Sequence, residues 1–138
     1  MAVHVLALLA YKEGDRCSSA FLANSVNTNP VIVRRLLLAL QRAKLVETDK
    51  GAGAGSRLSR SPARINLAQI YRAVEATEAF SKPSGKPSDA CPVGHCILST
   101  LDGIFESAQS AMERDLEKTT LAGVIGMVKS CENRKQAA

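Results

Sequence analysis

The sequence has no tryptophan, and only two tyrosines and three phenylalanines in 138 residues. A core without large aromatics has to be filled by Leu, Val, Ile and Ala, which favours helices. Long apolar runs are missing as well. A membrane-spanning helix needs about 20 apolar residues in succession, and no stretch comes close. The opening MAVHVLALLA has no positive segment ahead of it, and charge follows at once from Lys12 to Arg16. It therefore does not read as a secretory leader. A cytoplasmic protein without a membrane partner is expected, and Cys17, Cys91, Cys96 and Cys131 are then free thiols or metal ligands rather than disulfides. Catalytic constellations are absent too. No paired carboxylates stand out, and adjacent residues such as His95 and Cys96 point about 100° apart on a helix, so base and nucleophile do not converge. GAGAGSR lacks the Lys-Ser/Thr of a phosphate loop and the βαβ context of a dinucleotide fold. No enzyme is expected.

What is present is an uneven charge. Residues 1–72 carry 11 Lys and Arg against 4 Asp and Glu, a balance of +7, whereas residues 73–138 carry 7 against 9, a balance of −2. A basic front half suits a polyanionic partner, although an unevenly solvated surface would show the same asymmetry. A chain of this length buries one core, with room for an appended arm.

Periodicity and capping residues give the elements. Residues 2–12 read as a deeply packed helix, broken at Gly14-Asp15. Ser18 or Ser19 caps a short helix to about Val26, and Asn29-Pro30 opens another to about Ala43. Leu45 to Thr48 and Arg57 to Ser59 read as strands around a tip carrying Gly51, Gly53 and Gly55. Asn66 caps a helix with Leu67, Ile70, Tyr71 and Val74 on one face. Residues 81–90, SKPSGKPSDA, have linker composition. Ile97, Leu101, Phe105, Ala108, Met112 and Leu116 then share a helical face, widened by Leu98 and Ile104. Thr119 or Thr120 starts a last helix, and ENRKQAA is expected to fray.

The stretch SSAFLANSVNTNPVIVRRLLLAL has the pattern of a helix-turn-helix. Ala23 is small where two helices approach, Leu22, Val26, Val33 and Leu36 turn inward, and Asn27 suits the positive φ of the turn. Such a motif sets its second helix in the major groove of double-stranded DNA. The candidates there are Thr28, Asn29, Val31, Ile32, Arg34 and Arg35; Arg pairs with guanine and Asn with adenine. The same two arginines would also serve an ordinary helical hairpin as solvated surface. The following strand–Gly tip–strand tilts the balance, because it reads as a wing whose Lys50, Arg57 and Arg60 suit phosphates.

NTNPVIVRRLLLAL, KLVETDKGAGAGSRLSRSP and INLAQIYRAVE together resemble the Rrf2 family of bacterial winged-helix regulators, the IscR/NsrR/CymR type. NSVNTNPVIVRR, CPVG and FESAQSAMERDL are most similar to its YwnA-like branch. The resemblance implies a mainly α fold: a winged helix-turn-helix with a small two-stranded β-wing and a long C-terminal dimerisation helix. The implied organisation is a DNA-binding domain at 1–80, a cysteine-bearing linker at 81–95, a helical dimerisation region at 96–131 and a frayed tail at 132–138. Ile97, Leu101, Ile104, Phe105, Ala108, Met112 and Leu116 would then meet a second copy. The implied function is a repressor binding a palindromic operator as a homodimer.

The cysteines depart from the pattern of the cluster-binding members, which use three in a short loop. An iron–sulfur cluster needs about four protein ligands; CPVGHC supplies Cys91 and Cys96, with His95 between them. No cofactor and no metal are expected, unless a ligand across a dimer completes a site. The alternatives to a plain repressor are a redox- or ligand-responsive switch sensing through Cys91, His95 and Cys96, with its effector unknown, and a winged-helix module that binds protein instead of DNA. The basic front half argues against the last.

Overall fold

The computed structural model describes residues 1–74 and 85–138. Its elements are α1 (Ala2–Tyr11), α2 (Ser19–Ser25), α3 (Pro30–Arg42), β1 (Val46–Thr48), β2 (Ser56–Leu58), α4 (Leu67–Val74), α5 (Pro92–Glu117) and α6 (Leu121–Gln136), with a 3-10 turn at Pro62–Arg64. The fold is mainly α, with one two-stranded antiparallel sheet and the long C-terminal helix.

Local chemistry explains most boundaries. The Ser18 hydroxyl accepts from the Phe21 N–H (3.1 Å) and starts α2. The Asn29 carboxamide accepts from the Val31 N–H (2.8 Å) ahead of Pro30 and starts α3. Asn66 and Gln69 form a reciprocal capping box, each side chain accepting the other's backbone N–H at 2.9 Å. Thr120 caps α6 by accepting from the Gly123 N–H. Between α2 and α3, Asn27 has φ 53°, the left-handed conformation the tight turn needs.

Helix α3 ends where expected, with Ala43 as its C-cap, but the manner of its ending was not evident from composition. Lys44 has φ 59°, donates its N–H to Gln41 O, and is followed by Leu45, whose N–H reaches back to Leu40 O. These two bonds make a Schellman motif, with a lysine where glycine is usual. Buried Leu40 and Leu45 supply its apolar contact.

The core gathers Val5, Leu6 and Leu9 of α1, Leu22 and Ala23 of α2, Val33, Leu37 and Leu40 of α3, Leu45, Val46, Ile65 and Ile70, and Leu121 at the start of α6. The aliphatic character expected from the scarcity of aromatics is what fills it. In the wing, Val46 pairs with Leu58, Glu47 with Arg57 and Thr48 with Ser56. A third segment joins this sheet: the Cys17 N–H donates to Ser56 O (2.9 Å) and the Ser56 N–H to Cys17 O (2.8 Å). Arg16 also pairs with Asp49 at 2.6 Å, so the wing root is tied to the loop before α2.

Gly55 makes that junction possible. A Cβ there would stand 3.0 Å from the Cys17-side neighbour Arg16 Cβ and 3.1 Å from both the N and the O of Cys17, and backbone atoms held in a ladder yield little. Gly55→Ala is expected to destabilise the chain by about 1–3 kcal/mol, the usual cost of overpacking. Urea unfolding checks it, and an unchanged midpoint would show that the strands part freely.

Two boundaries differ from expectation. The long helix starts at Pro92, with Cys91 as its N-cap, so Pro92 to His95 form its first turn and do not belong to the 81–95 linker, while Cys96 is helical as expected. Proline at the first helical position loses no hydrogen bond, and the Cys91 carbonyl accepts from the His95 N–H at 2.9 Å. At the other end α6 continues to Gln136, because nothing in Glu132 to Gln136 breaks a helix. The first part of the expected linker, 81–84, and the end of the expected DNA-binding domain, 75–80, lie outside the described residues. No described helix is long and apolar enough to cross a membrane.

Candidate nucleic-acid interface

Helix α3 buries Val33, Leu37 and Leu40. The opposite side, at spacings of four, three and four, presents Val31, Arg35, Leu38 and Arg42, all exposed. Val31 and Ile32 are each 45% exposed and Leu38 48%. Apolar groups left in water on a basic face are suited to the C5-methyl of thymine, while arginines suit guanine. Arg34 lies to the side of this stripe, in a cleft of about 330 Å³ that α3 shares with Thr48, Asp49 and Ala54 of the wing.

The structure sorts the sequence candidates. Arg34 and Arg35 are exposed and make no hydrogen bond or ion pair with described residues. Thr28 is half-buried at the turn. Asn29 is occupied: its carboxamide oxygen caps α3 and is not free to accept from adenine. In the wing, Lys50 is exposed and unpaired, Arg57 pairs with Glu47 across the strands at 3.2 Å, and Arg60 donates to the Lys44 carbonyl at 3.2 Å. Lys50 is thus the readiest phosphate ligand of the three. Sequence reasoning passed over Arg42 and Leu38, although both follow from Arg35 by helical spacing.

No residue of α5 is buried. Ile97, Leu101, Phe105, Ala108 and Met112 are half-buried, and Ile104 is 56% exposed. Leu116 differs, because it lines a cleft with Leu67, Ile70, Tyr71 and Val74 of its own α4. A second apolar surface lies between α1 and α6, a groove of about 600 Å³ lined by Val3, Ala7, Leu8, Val124, Ile125 and Val128.

Cys91 and Cys96 are exposed on α5, Cys131 is exposed on α6, and Cys17 is buried against the wing. Burial pushes the Cys17 thiol pKa up, opposed by Lys12 and reinforced by Asp15, which keeps it protonated and unreactive. Residues five positions apart on a helix point about 140° apart, so Cys91 and Cys96 diverge. Among the described residues no three His, Cys, Asp or Glu side chains stand together as a metal site. This donor set does not fit a four-ligand cluster within one chain.

Comparison with known proteins places this arrangement among regulators. Residues 1–126 match the Rrf2 family, described as iron-dependent transcriptional regulators. The chain is 40% identical over 125 residues to YwnA of Bacillus subtilis, named an HTH-type transcriptional regulator, covering 91% of this chain and 92% of the relative. It also resembles the crystal structure of a protein described as DNA-binding, with 40% identity, a TM-score of 0.70, and coverage of 90% of this chain and 95% of the other. A structure from Lactobacillus plantarum described as a transcriptional regulator shares the fold at 23% identity, with a TM-score of 0.78 over 99% of this chain and 95% of the other.

Proposed function

Because the chain belongs to the Rrf2 family of transcriptional regulators and is similar to its YwnA-like branch, we propose that it is a DNA-binding repressor that acts as a homodimer on a palindromic operator. It is not an enzyme. The observation that carries the reading is the outward stripe of α3, Val31–Arg35–Leu38–Arg42, set beside a wing whose tip bears Lys50.

In this reading α3 enters the major groove. Arg35 reaches guanine or phosphate from the centre of the stripe, Val31 and Ile32 meet thymine methyl groups, and Thr28 borders the groove at the turn. Arg34 bridges the groove edge and the wing, while Lys50, Arg57 and Arg60 follow phosphates. The bonds between Cys17 and Ser56 tie the wing root to the loop before α2, so a phosphate contact at the tip bears on the helix-turn-helix through that loop. Residues 1–80 form the DNA-binding part. The region from α5 onward, headed by Pro92, forms the dimerisation part, with Ile97, Leu101, Ile104, Phe105, Ala108 and Met112 facing a second copy. Support for the dimer comes from a 26-residue helix with no buried residue and from the apolar α1–α6 groove, since large uncovered apolar surfaces mark interfaces. Repression then needs only that the dimer occupy promoter DNA.

The test starts from duplexes selected out of a random library by the purified full-length chain. A dimer in sedimentation and enrichment of paired, inverted half-sites are expected, with log K falling linearly in log salt by about 0.9 per phosphate neutralised. Lys50→Ala should lower that slope by about 1 and weaken all sequences alike. Salt-insensitive binding, or no enrichment of any sequence, would sink the reading.

A further inference from the structure

The joint between the DNA-reading half and α5 has two parts. At its base, main-chain hydrogen bonds tie the lead-in to α4 to the junction of α5 and α6: the Leu67 N–H donates to Thr119 O (3.0 Å) and the Leu121 N–H to Ile65 O (2.7 Å). Leu116 packs in the corner they form. These contacts determine the point from which α5 departs. Apolar packing is non-directional, so it constrains the angle of departure less.

Further along both helices Arg72 of α4 reaches across. Its Nε donates to Glu113 Oε2 at 2.6 Å and its Nη2 to Glu117 Oε1 at 2.8 Å. Gln109 extends the contact, donating to Glu113 Oε1 at 3.1 Å and to the Tyr71 hydroxyl at 3.3 Å. Arg72, and secondarily Gln109, hold the Glu113 carboxyl below its ordinary pKa, so it stays charged at neutral pH. The Arg72 side chain is half exposed, and exposed ion pairs add little to stability. A guanidinium forked onto two carboxylates one turn apart is nevertheless strongly directional.

We propose that the Arg72–Glu113–Glu117 fork sets the angle at which α5 leaves the DNA-reading half, and thereby the separation of the two recognition helices in the homodimer. Arg72 is then a positioning residue for half-site spacing. The inference rests on the homodimeric reading of the chain. Geometry gives it leverage. From Glu113 back to Val93 the helix runs about 30 Å at about 1.5 Å per residue. A change of about 10° at the fork moves the far end by about 5 Å, more than the roughly 3.4 Å rise of one base pair.

The experiment uses the full-length chain and the inverted half-site duplexes it selects, with the spacer lengthened or shortened by one and two base pairs. The wild type is expected to lose at least tenfold in affinity at two base pairs from its preferred spacing. Arg72→Ala should flatten that dependence to within about threefold, while binding to a single half-site and the sedimentation of the dimer stay unchanged. Glu113→Gln with Glu117→Gln should flatten it likewise from the other helix, which covers the case of a poorly folding Arg72 variant. Arg72→Lys should restore part of the preference. Variants that keep the wild-type spacing preference, or that lose affinity equally on every duplex and on the single half-site, overturn the inference alone. A monomeric wild type, or one selecting unpaired half-sites, overturns the homodimeric reading and the inference with it.

Discussion

Replacing Arg34 and Arg35 together by alanine is expected to weaken binding to the selected duplex by about a hundredfold or more, with the folded state intact. Both side chains are exposed on α3, and neither supports the core formed by Val33, Leu37 and Leu40. Exposed substitutions away from packed or capped positions change stability by about 0.5 kcal/mol or less. On DNA the sum is different. A bidentate arginine–guanine pair contributes about 1–3 kcal/mol of discrimination, about 5- to 150-fold, for Arg35, and Arg34 adds a phosphate contact. The two single variants separate their roles. Arg35 lies at the centre of the outward stripe, so Arg35→Ala is expected to relax the preference at one base pair. Arg34 faces the cleft shared with the wing, so Arg34→Ala is expected to lower the salt slope and weaken all sequences evenly. Anisotropy titrations at several salt concentrations measure both. Undiminished binding by the double variant would show that α3 is not the reading element.

The largest effect on stability is expected at Leu121. Its side chain is fully buried, and its N–H is bonded to the Ile65 carbonyl at 2.7 Å, so it fastens α6 into the core it shares with α1, α2 and α3. Leu121→Ala removes apolar volume where main-chain bonds keep the neighbours from closing in. The cost is about 2–5 kcal/mol, a large part of the roughly 5–15 kcal/mol that holds a domain folded. Met127 on the same helix is 63% exposed, and Met127→Ala should shift the unfolding midpoint little. If Leu121→Ala were as mild as Met127→Ala in urea denaturation, α6 would be an independent appendage and not part of the cooperative unit.

Much of this architecture was legible in single residues. Asn29 and Asn66, and the pairs Ser18/Ser19 and Thr119/Thr120, each announce a helix because a short polar side chain there answers an orphan N–H in the first turn; the structure selects Ser18 and Thr120. Asn27 announces the turn, and the three glycines announce the wing tip. These signals act within a few residues, which is why one sequence is enough to read them. Lys44 escaped notice because its left-handed backbone is imposed by two hydrogen bonds and the Leu40–Leu45 contact, not by its own preference. The third segment of the wing sheet was equally invisible. Cys17 and Ser56 are far apart in sequence, and neither residue type advertises a partner. Asn29 carried two readings in the sequence, a cap and an adenine contact, because one carboxamide oxygen suits either, and its 2.8 Å contact with the Val31 N–H bears out the cap.

The scarcity of aromatics thus determined the kind of core, aliphatic and helical, and the placement of the charges determined that residues 1–72 carry a balance of +7. Both are properties of composition that no packing arrangement can alter. The tertiary structure decided which cations stay free. It ties Arg57 to Glu47, Arg60 to a backbone carbonyl and Arg72 to two carboxylates of the long helix, and leaves Arg34, Arg35 and Lys50 facing outward. Charge can be counted along a chain. Its availability depends on neighbours within a few ångströms, and only folding brings those together.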